Sequence, residues 1–356
     1  MSDNNLKMRS LLFRKTGEMV LRKITVPSVG VNEVLIRVKY CGICGTDVHA
    51  FRNGLLIPEN TVMGHEITGV IETAGRNVRK YKKGERVIIN PLARCGECYW
   101  CRRKEYSLCE TAASQEIGFH PGYDGGLADF ILVRHPDSMI MKIPDSVPME
   151  AAALIEPLAT SLHAVKKSRF KKNGTAVVIG AGMIGLGVIS FLKMMKAGRI
   201  ITVEPCRVKA ELALRSGADA VIDPSLGRKE TLEDVLKEME SPGAPVVFEC
   251  AGVASAFRDA PEYAVKGGQV ILAGFCEQEV GVRPIDWILR EIEVKAILGY
   301  YDEFSEVMKY LGNGKIRTEN FITDIISLEM AEKNGFHRIA KDNSIVKILV
   351  DMELQD

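Results

Sequence analysis

"NGTAVVIGAGMIGLGVISFLKMM", residues 173–195, decides the fold. Residues 176–179 form a short apolar run, a Gly-rich turn follows at once, and a long apolar segment with helical spacing comes next. Strand, turn and helix therefore stand in the order a dinucleotide-binding unit requires. Gly180, Gly182 and Gly185 fit G-x-G-x-x-G. The first permits the tight turn, the second lets backbone approach a pyrophosphate, and the third allows close helix packing. The helix start, at Met183 and Ile184, offers free N–H groups and a positive dipole end to phosphates. Alone the motif is weak, but "RIITVEP" supplies a second strand ending at Glu204, nineteen residues beyond Gly185. A carboxylate there accepts hydrogen bonds from ribose hydroxyls and repels a 2′-phosphate, which favours NAD over NADP. Arg207 lies close enough to act in the opposite sense.

Working outward, "ADAVID", "APVVFECAG", "GQVILAG" and "EVKAIL" read as further short strands, with helical patterns at "KETLEDVLKEME" and "ASAFRDAPEYAV". The expected fold is α/β: a Rossmann doubly wound parallel sheet, with cofactor-binding positions at Cys250 and at Ala273, Gly274 and Phe275, the C-terminal strand edges where ligands sit. The N-terminal part reads differently. "NEVLIRVKYCG", "MGHEITGVIETAG" and "KKGERVIINP" are short alternating strands broken by Gly and Pro, the pattern of a mostly antiparallel β domain. From about residue 298 the pattern is mixed.

The chain has 356 residues, enough for two domains, with a hydrophobic share of 46% and a net charge of +1. Near-neutral charge favours neither nucleic acid nor an anionic membrane, and no apolar run has the length of a membrane span. A cytoplasmic location with a small-molecule partner is expected. In a reducing compartment, clustered thiols bind metal or do redox work. "RCGECYWCRRKEYSLC", residues 94–109, spaces Cys95, Cys98, Cys101 and Cys109 as C-x2-C-x2-C-x7-C. Four thiolates at that spacing hold one tetrahedral zinc with no open position, so the site is structural. An iron–sulfur cluster is the rival, but the ferredoxin spacing ends in C-x3-C-P and this one does not. Arg102, Arg103 and Lys104 are diluted by Glu97, Glu105 and Glu110, a solvated surface rather than a nucleic-acid contact. Cys41 reads as a buried small residue. His163 reads as a packing or capping residue.

"CGICGTDVH" at 41–49 and "GHE" at 64–66 add a sulfur, an imidazole and a carboxylate that can meet on one metal. Together with "CGECYWC", "LIEPLATSLHAV" and "VIGAGMIG" in the same order, these stretches make the chain similar to the medium-chain, zinc-dependent alcohol and polyol dehydrogenases, especially the butanediol and sorbitol branch. The resemblance implies a GroES-like catalytic domain over 1–158 with a structural-zinc lobe at 94–110, an NAD-binding Rossmann domain over 159–297, and a return to the catalytic domain over 298–356. It implies two zinc ions per chain, NAD as cofactor, an alcohol or ketone substrate, and a homodimer or homotetramer.

Carried over by motif, Cys44 and His65 are catalytic-zinc ligands and Glu66 is an acidic residue that ligates zinc or stands beside it. Glu156 occupies the place of the third cysteine of alcohol dehydrogenases, as in the polyol branch, and is expected to bind zinc directly or through water. Thr46 matches the hydroxyl that contacts the substrate oxygen, and His49 the residue that relays the proton to solvent. In "LGYYDEF" Gly299 stands where sorbitol dehydrogenases carry Arg, which favours a short diol, hydroxyketone or secondary alcohol over a long polyol. Phe51, Leu56, Phe119 and residues near Trp287 are expected in the pocket wall. The alternatives are a sugar-phosphate or threonine-type dehydrogenase, or a zinc-free quinone reductase, which should lack both metal sets.

Overall fold

The computed structural model describes residues 6–54, 57–239 and 241–355. The chain divides into two compact units. The first comprises residues 1–156, 304–314 and 322–356, and the second residues 157–303 and 315–321. In chain order the strands of the first unit are β1 (Lys7–Lys15), β2 (Glu18–Thr25), β3 (Val34–Gly42), β4 (Thr61–Val62), β5 (Glu66–Ala74), β6 (Arg86–Ile89), β7 (Phe130–Val133) and β8 (Ile140–Lys142). The second unit contributes β9 (Thr175–Ile179), β10 (Arg199–Val203), β11 (Ala220–Ile222), β12 (Ala244–Glu249), β13 (Ala264–Leu272) and β14 (Glu293–Ala296), and the chain then supplies β15 (Ile322–Ser327) and β16 (Lys347–Asp351). The helices that matter below are α1 (Gly45–Asn53), α2 (Tyr99–Arg102), α3 (Ile155–Lys167), α4 (Met183–Met194) and α5 (Arg207–Ser216).

In the first unit one sheet runs β15-β16-β3-β5-β6-β8, with β7 also on β3, and a smaller one runs β2-β1-β4. Pairing is antiparallel throughout except for β15 beside β16, which are parallel. Alternation in β3 and β5 turns Val34, Ile36, Val38, Ile67 and Ile71 into one buried cluster. Of the mixed C-terminal segment, 304–314 and 322–356 belong to this unit, while 298–303 and 315–321 belong to the second; β16 pairs with β3 through Val350 opposite Cys41 and Leu349 opposite Gly42. Cys41 is fully buried, as a small apolar residue would be.

The second unit holds a six-stranded parallel sheet in the order β11-β10-β9-β12-β13-β14. Its central strand β9 reads TAVVI and is buried on both faces, which is why it is continuously apolar rather than alternating. The order reverses between β9 and β12, the switch point at which such sheets bind ligands. One local reading needs correction. The helical pattern expected through "ASAFRDAPEYAV" ends at Asp259, a 3-10 turn covers Ala260–Tyr263, and β13 starts at Ala264. Pro261 has no N–H to continue the helix. No helix among the described residues is long and apolar enough to cross a membrane.

Candidate active site

Cys44 is the residue before α1 and adopts extended backbone, so its side chain leaves the helix start. Asp47, three residues on, accepts a hydrogen bond from Cys44 N at 2.9 Å and locks that turn. His65 and Glu66 arrive at the beginning of β5, where Glu66 lies opposite Gly42 of β3. A Cβ on Gly42 would stand 2.0 Å from Glu66 Oε2, so glycine is what admits the carboxylate. The result is a triangle: the ligand atoms of Cys44, His65 and Glu66 all lie within 4.8 Å of one another.

The triangle is buried and electrostatically loaded. His65 Nδ1 is 3.6 Å from Asp47 Oδ1, too long for a hydrogen bond. His65 Nδ1, Asp47 Oδ1, Glu66 Oε2 and Thr46 Oγ1 are all shielded from solvent without a hydrogen-bond partner among the described residues. Buried polar atoms rarely stay unsatisfied, and a cation amid a sulfur, an imidazole and a carboxylate resolves that deficit. Burial opposes charge on His65, but Asp47 and Cys44 outweigh it and hold the imidazole well above its ordinary value. Glu66 Oε1 accepts a 2.6 Å hydrogen bond from Lys347 Nζ, which also donates to Ile43 O at 3.0 Å. Burial would strip Lys347 of its proton, yet Glu66 and Cys44 raise its pKa above the usual lysine value.

Glu156 is not part of the triangle. It lies within electrostatic reach of His65, Glu66 and Lys347, and burial pushes its carboxyl up to about 7. Glu116 is a second carboxyl in the same field, also pushed to about 7 by burial, with His65 opposing and Asp47 adding to the shift. Of the expected pocket residues, Phe119 packs on the His65 ring at 5.0 Å between centroids. Phe51 instead belongs to the core, packed against Phe336 and His337, because α1 turns that face inward. Leu56 lies outside the described residues. His163 is no cap: it sits inside α3, with Nδ1 3.1 Å from Glu303 Oε1 and its ring edge-on to Tyr301.

The cysteine lobe is held by α2 and the 3-10 turn Tyr106–Leu108, and its apolar cluster amounts to Cys101, Cys109 and Ala112 with Cys98 and Tyr106 packed on it. So small a core cannot order the segment. The Cys95 sulfur stands 3.9 Å from that of Cys101 and 3.7 Å from that of Cys109. Four sulfurs about 2.3 Å from a common centre are about 3.8 Å apart, so the spacing is that of a tetrahedral zinc cage. Backbone N–H groups of Cys95, Cys98 and Cys101 point at the sulfurs of Cys109, Cys95 and Cys98. Burial alone would raise Cys109, but the Cys95 N–H and Thr111 draw it down to about 6, while burial lifts Cys101 to about 12.

In the second unit the three glycines act differently. Gly180 has φ +88°, in the left-handed region. Around Gly182, the residue before α4, nothing stands within 4 Å of where a Cβ would be, which leaves a cradle open to a pyrophosphate beside the N–H groups of Met183 and Ile184. A Cβ on Gly185 would sit 1.9 Å from Gly180 O, so the third glycine is demanded by packing. Glu204 follows β10, nearly buried, with Oε2 accepting from Ala181 N at 2.7 Å and Oε1 from Cys206 N at 2.8 Å. Arg207 extends into solvent and pairs with Glu211 at 3.2 Å. Cys250 follows β12, and Ala273 and Gly274 follow β13, both donating to Glu249 O at 2.9 Å, with Phe275 exposed beyond them.

Three residues escaped the sequence reading. Asp47 stood inside "CGTDVH" as an acid at the third helical position, and Lys347 showed as a lone charge in the apolar strand "KILV". Glu116 carried no signal.

The chain is similar to known proteins along almost its whole length. The alcohol dehydrogenase GroES-like domain matches residues 30–145 and the zinc-binding dehydrogenase domain residues 184–313. (R,R)-butanediol dehydrogenase of Bacillus subtilis strain 168 is 31% identical over 358 residues, covering 96% of this chain and 99% of that protein. Sorbitol dehydrogenase of the same organism is 28% identical over 348 residues, covering 96% and 97%. A provisionally named zinc-binding dehydrogenase from Sinorhizobium meliloti 1021, solved bound to NADP, matches with a TM-score of 0.87 at 29% identity over 97% of this chain and 99% of that one. With three relatives at 31% identity over 91% or more of this chain, and both domains present in order, the chain belongs to the zinc-type medium-chain alcohol and polyol dehydrogenases.

Proposed function

We propose that this dehydrogenase interconverts a secondary alcohol, diol or polyol and its ketone with NAD, that a short diol is its best substrate, and that each chain carries one catalytic and one structural zinc. The observation that carries the reading is the convergence of Cys44, His65 and Glu66 amid buried polar atoms without partners. Zinc held there supplies Lewis acidity toward an alcohol oxygen, and the bound dinucleotide supplies the hydride acceptor. The chain's own groups do the rest. Thr46 takes the hydroxyl proton and passes it toward His49, a role that its shielded, unpartnered Oγ1 supports. Asp47 Oδ1, 3.6 Å from His65 Nδ1, sets a negative charge beside the imidazole and favours its N–H on that side. Lys347 holds one oxygen of Glu66 and leaves the other for the metal. This supports Glu66 as the third ligand, with Glu156 as a neighbouring carboxyl that enters through water.

Glu204 favours NAD, since its carboxylate is fixed at the Gly-rich turn while Arg207 is engaged by Glu211. Gly299 supports a short substrate, because it offers no charged side chain to a long polyol. A homodimer or homotetramer is supported by the outer strand β14 and by Ile288, Leu289 and Leu298, which are 68%, 72% and 63% exposed. Nine cysteines, none in a disulfide, fit the cytoplasm. The test is reduction of NAD and of NADP followed by absorbance over short diols, polyols, threonine and sugar phosphates. Turnover of a short secondary diol with NAD is expected. Zinc-loaded protein that turns over sugar phosphates alone, or prefers NADP, overturns the corresponding part.

A further inference from the structure

The second unit carries a cavity of about 220 Å³ that the redox site does not use. It opens where the last turns of α4 and α5 meet the segment 315–320. Lys193, Arg215, Lys315 and Arg317 line it, and no carboxylate does. Helix C-termini carry partial negative charge, so two basic residues in the last turns of α4 and α5 are ordinary by themselves. Arg317 belongs to neither helix, however, so the basic lining is not accounted for by the two helix ends alone. Lys193 shares Asp219 at 3.6 Å. The guanidinium groups of Arg215 and Arg317 make no ion pair among the described residues.

Asn320 supplies the second observation. It lines the cavity, is only 5% exposed, and sends Nδ2 toward Ser216 Oγ at a long 3.4 Å, while its Oδ1 is buried with no donor among the described residues. A buried acceptor left in that state is costly unless a ligand supplies a proton. An anion that also donates would satisfy both the cations and this acceptor. Its size is bounded too, since drug-sized sites run to roughly 300–1,000 Å³ and this one is smaller.

We propose that this cavity is a hydrogen-phosphate site: Arg215 and Arg317 clasp the oxygens in the forked geometry guanidinium favours, Lys193 and Lys315 add charge, and Asn320 Oδ1 accepts the P–OH proton. Inorganic phosphate keeps one such proton at neutral pH. A phosphomonoester dianion and sulfate have none, so both are disfavoured although their charge is equal. The site lies at the C-terminal end of α4, whose other end faces the Gly-rich turn, roughly 18 Å away for a twelve-residue helix.

The experiment is calorimetric titration at pH 8 and constant ionic strength of the zinc-loaded protein saturated with its nicotinamide dinucleotide, so that the Gly-rich turn is filled. Inorganic phosphate, glycerol phosphate and sulfate are titrated in parallel. Saturable binding of one phosphate per chain is expected, about tenfold tighter than sulfate or the ester. Arg215→Ala with Arg317→Ala, both exposed changes, should weaken phosphate at least tenfold, and Asn320→Ala should abolish the preference over sulfate. Circular dichroism melts confirm that each variant is folded. Absence of saturable heat, sulfate or ester binding as tightly as phosphate, or phosphate binding that survives the double substitution, each overturns the proposal.

Discussion

Lys347 is 3% exposed and reaches Glu66 across 281 residues of chain. A buried ion pair adds little net stability over apolar residues, but removing one partner leaves the other uncompensated. In zinc-free protein Lys347→Met should therefore lower unfolding stability by about 3–5 kcal/mol, and adding Glu66→Gln should recover most of it. Urea melts decide: equal losses in the single and double variants would show that the two groups are not coupled. Glu249 tests burial in another way. Its Oε1 accepts from Ala251 N and Gly252 N at 2.9 Å, and burial pushes the carboxyl from 4.5 up to about 7 despite those bonds. An acid with a higher pKa in the folded state binds its proton more tightly when folded. Its contribution is complete below pH 4.5 and is lost as pH rises through 7, a swing of roughly 3 kcal/mol. Glu249→Gln keeps the acceptor, so its melting temperature should fall less between pH 5 and 8 than that of the parent. Parallel curves would refute this.

At the scale of elements, the turn between β9 and α4 is the least tolerant joint. Gly185→Ala would force its methyl against Gly180 O and push the helix start off the strand edge. Overpacking of this kind costs about 1–3 kcal/mol, and on the proposed reading a dinucleotide would lose the N–H groups of the helix start. Thermal melts should show the first effect, and dinucleotide titration at least a tenfold weakening. Alanine at 185 with unchanged affinity would mean that the phosphates do not sit at this helix end. The same joint explains legibility. "VVIGAGMIG" was readable because strand, turn and helix are encoded within nine residues, whereas the helical spacing through "APEYAV" was outweighed by one proline and by β13 pairing with β12. Phe51 was misplaced because spacing does not tell which helical face meets the core.

For the whole molecule, the two candidate metal sets differ in donor chemistry, and on the proposed reading they should differ in retention. A sulfur, an imidazole and a carboxylate hold zinc less firmly than four thiolates, and the first set must leave a position for substrate. Metal analysis should find about two zinc per chain, and a chelator should remove the ion of Cys44, His65 and Glu66 first, with activity lost before thermal stability. Cys98→Ser should reverse that pattern, lowering stability because the lobe has almost no apolar core. Simultaneous loss of both ions, or earlier loss from the lobe, would contradict the assignment.

The sequence by itself determined the parallel sheet, the mostly antiparallel domain and the clustering of the four lobe cysteines, because each is written in spacings of a few to a few tens of residues, whereas the pairing of Cys44 with His65 came from the resemblance to a family and not from spacing. Tertiary structure alone decided that Lys347 tethers Glu66, that Asp47 stands near His65, that Glu156 lies outside the cluster of Cys44, His65 and Glu66, and that Asn320 lines a basic cavity. Those relations depend on strand register and on segments far apart in the chain, which local periodicity does not encode. A buried charge is visible in a sequence; the group that compensates it becomes visible only when β16 is laid against β3 and β3 against β5.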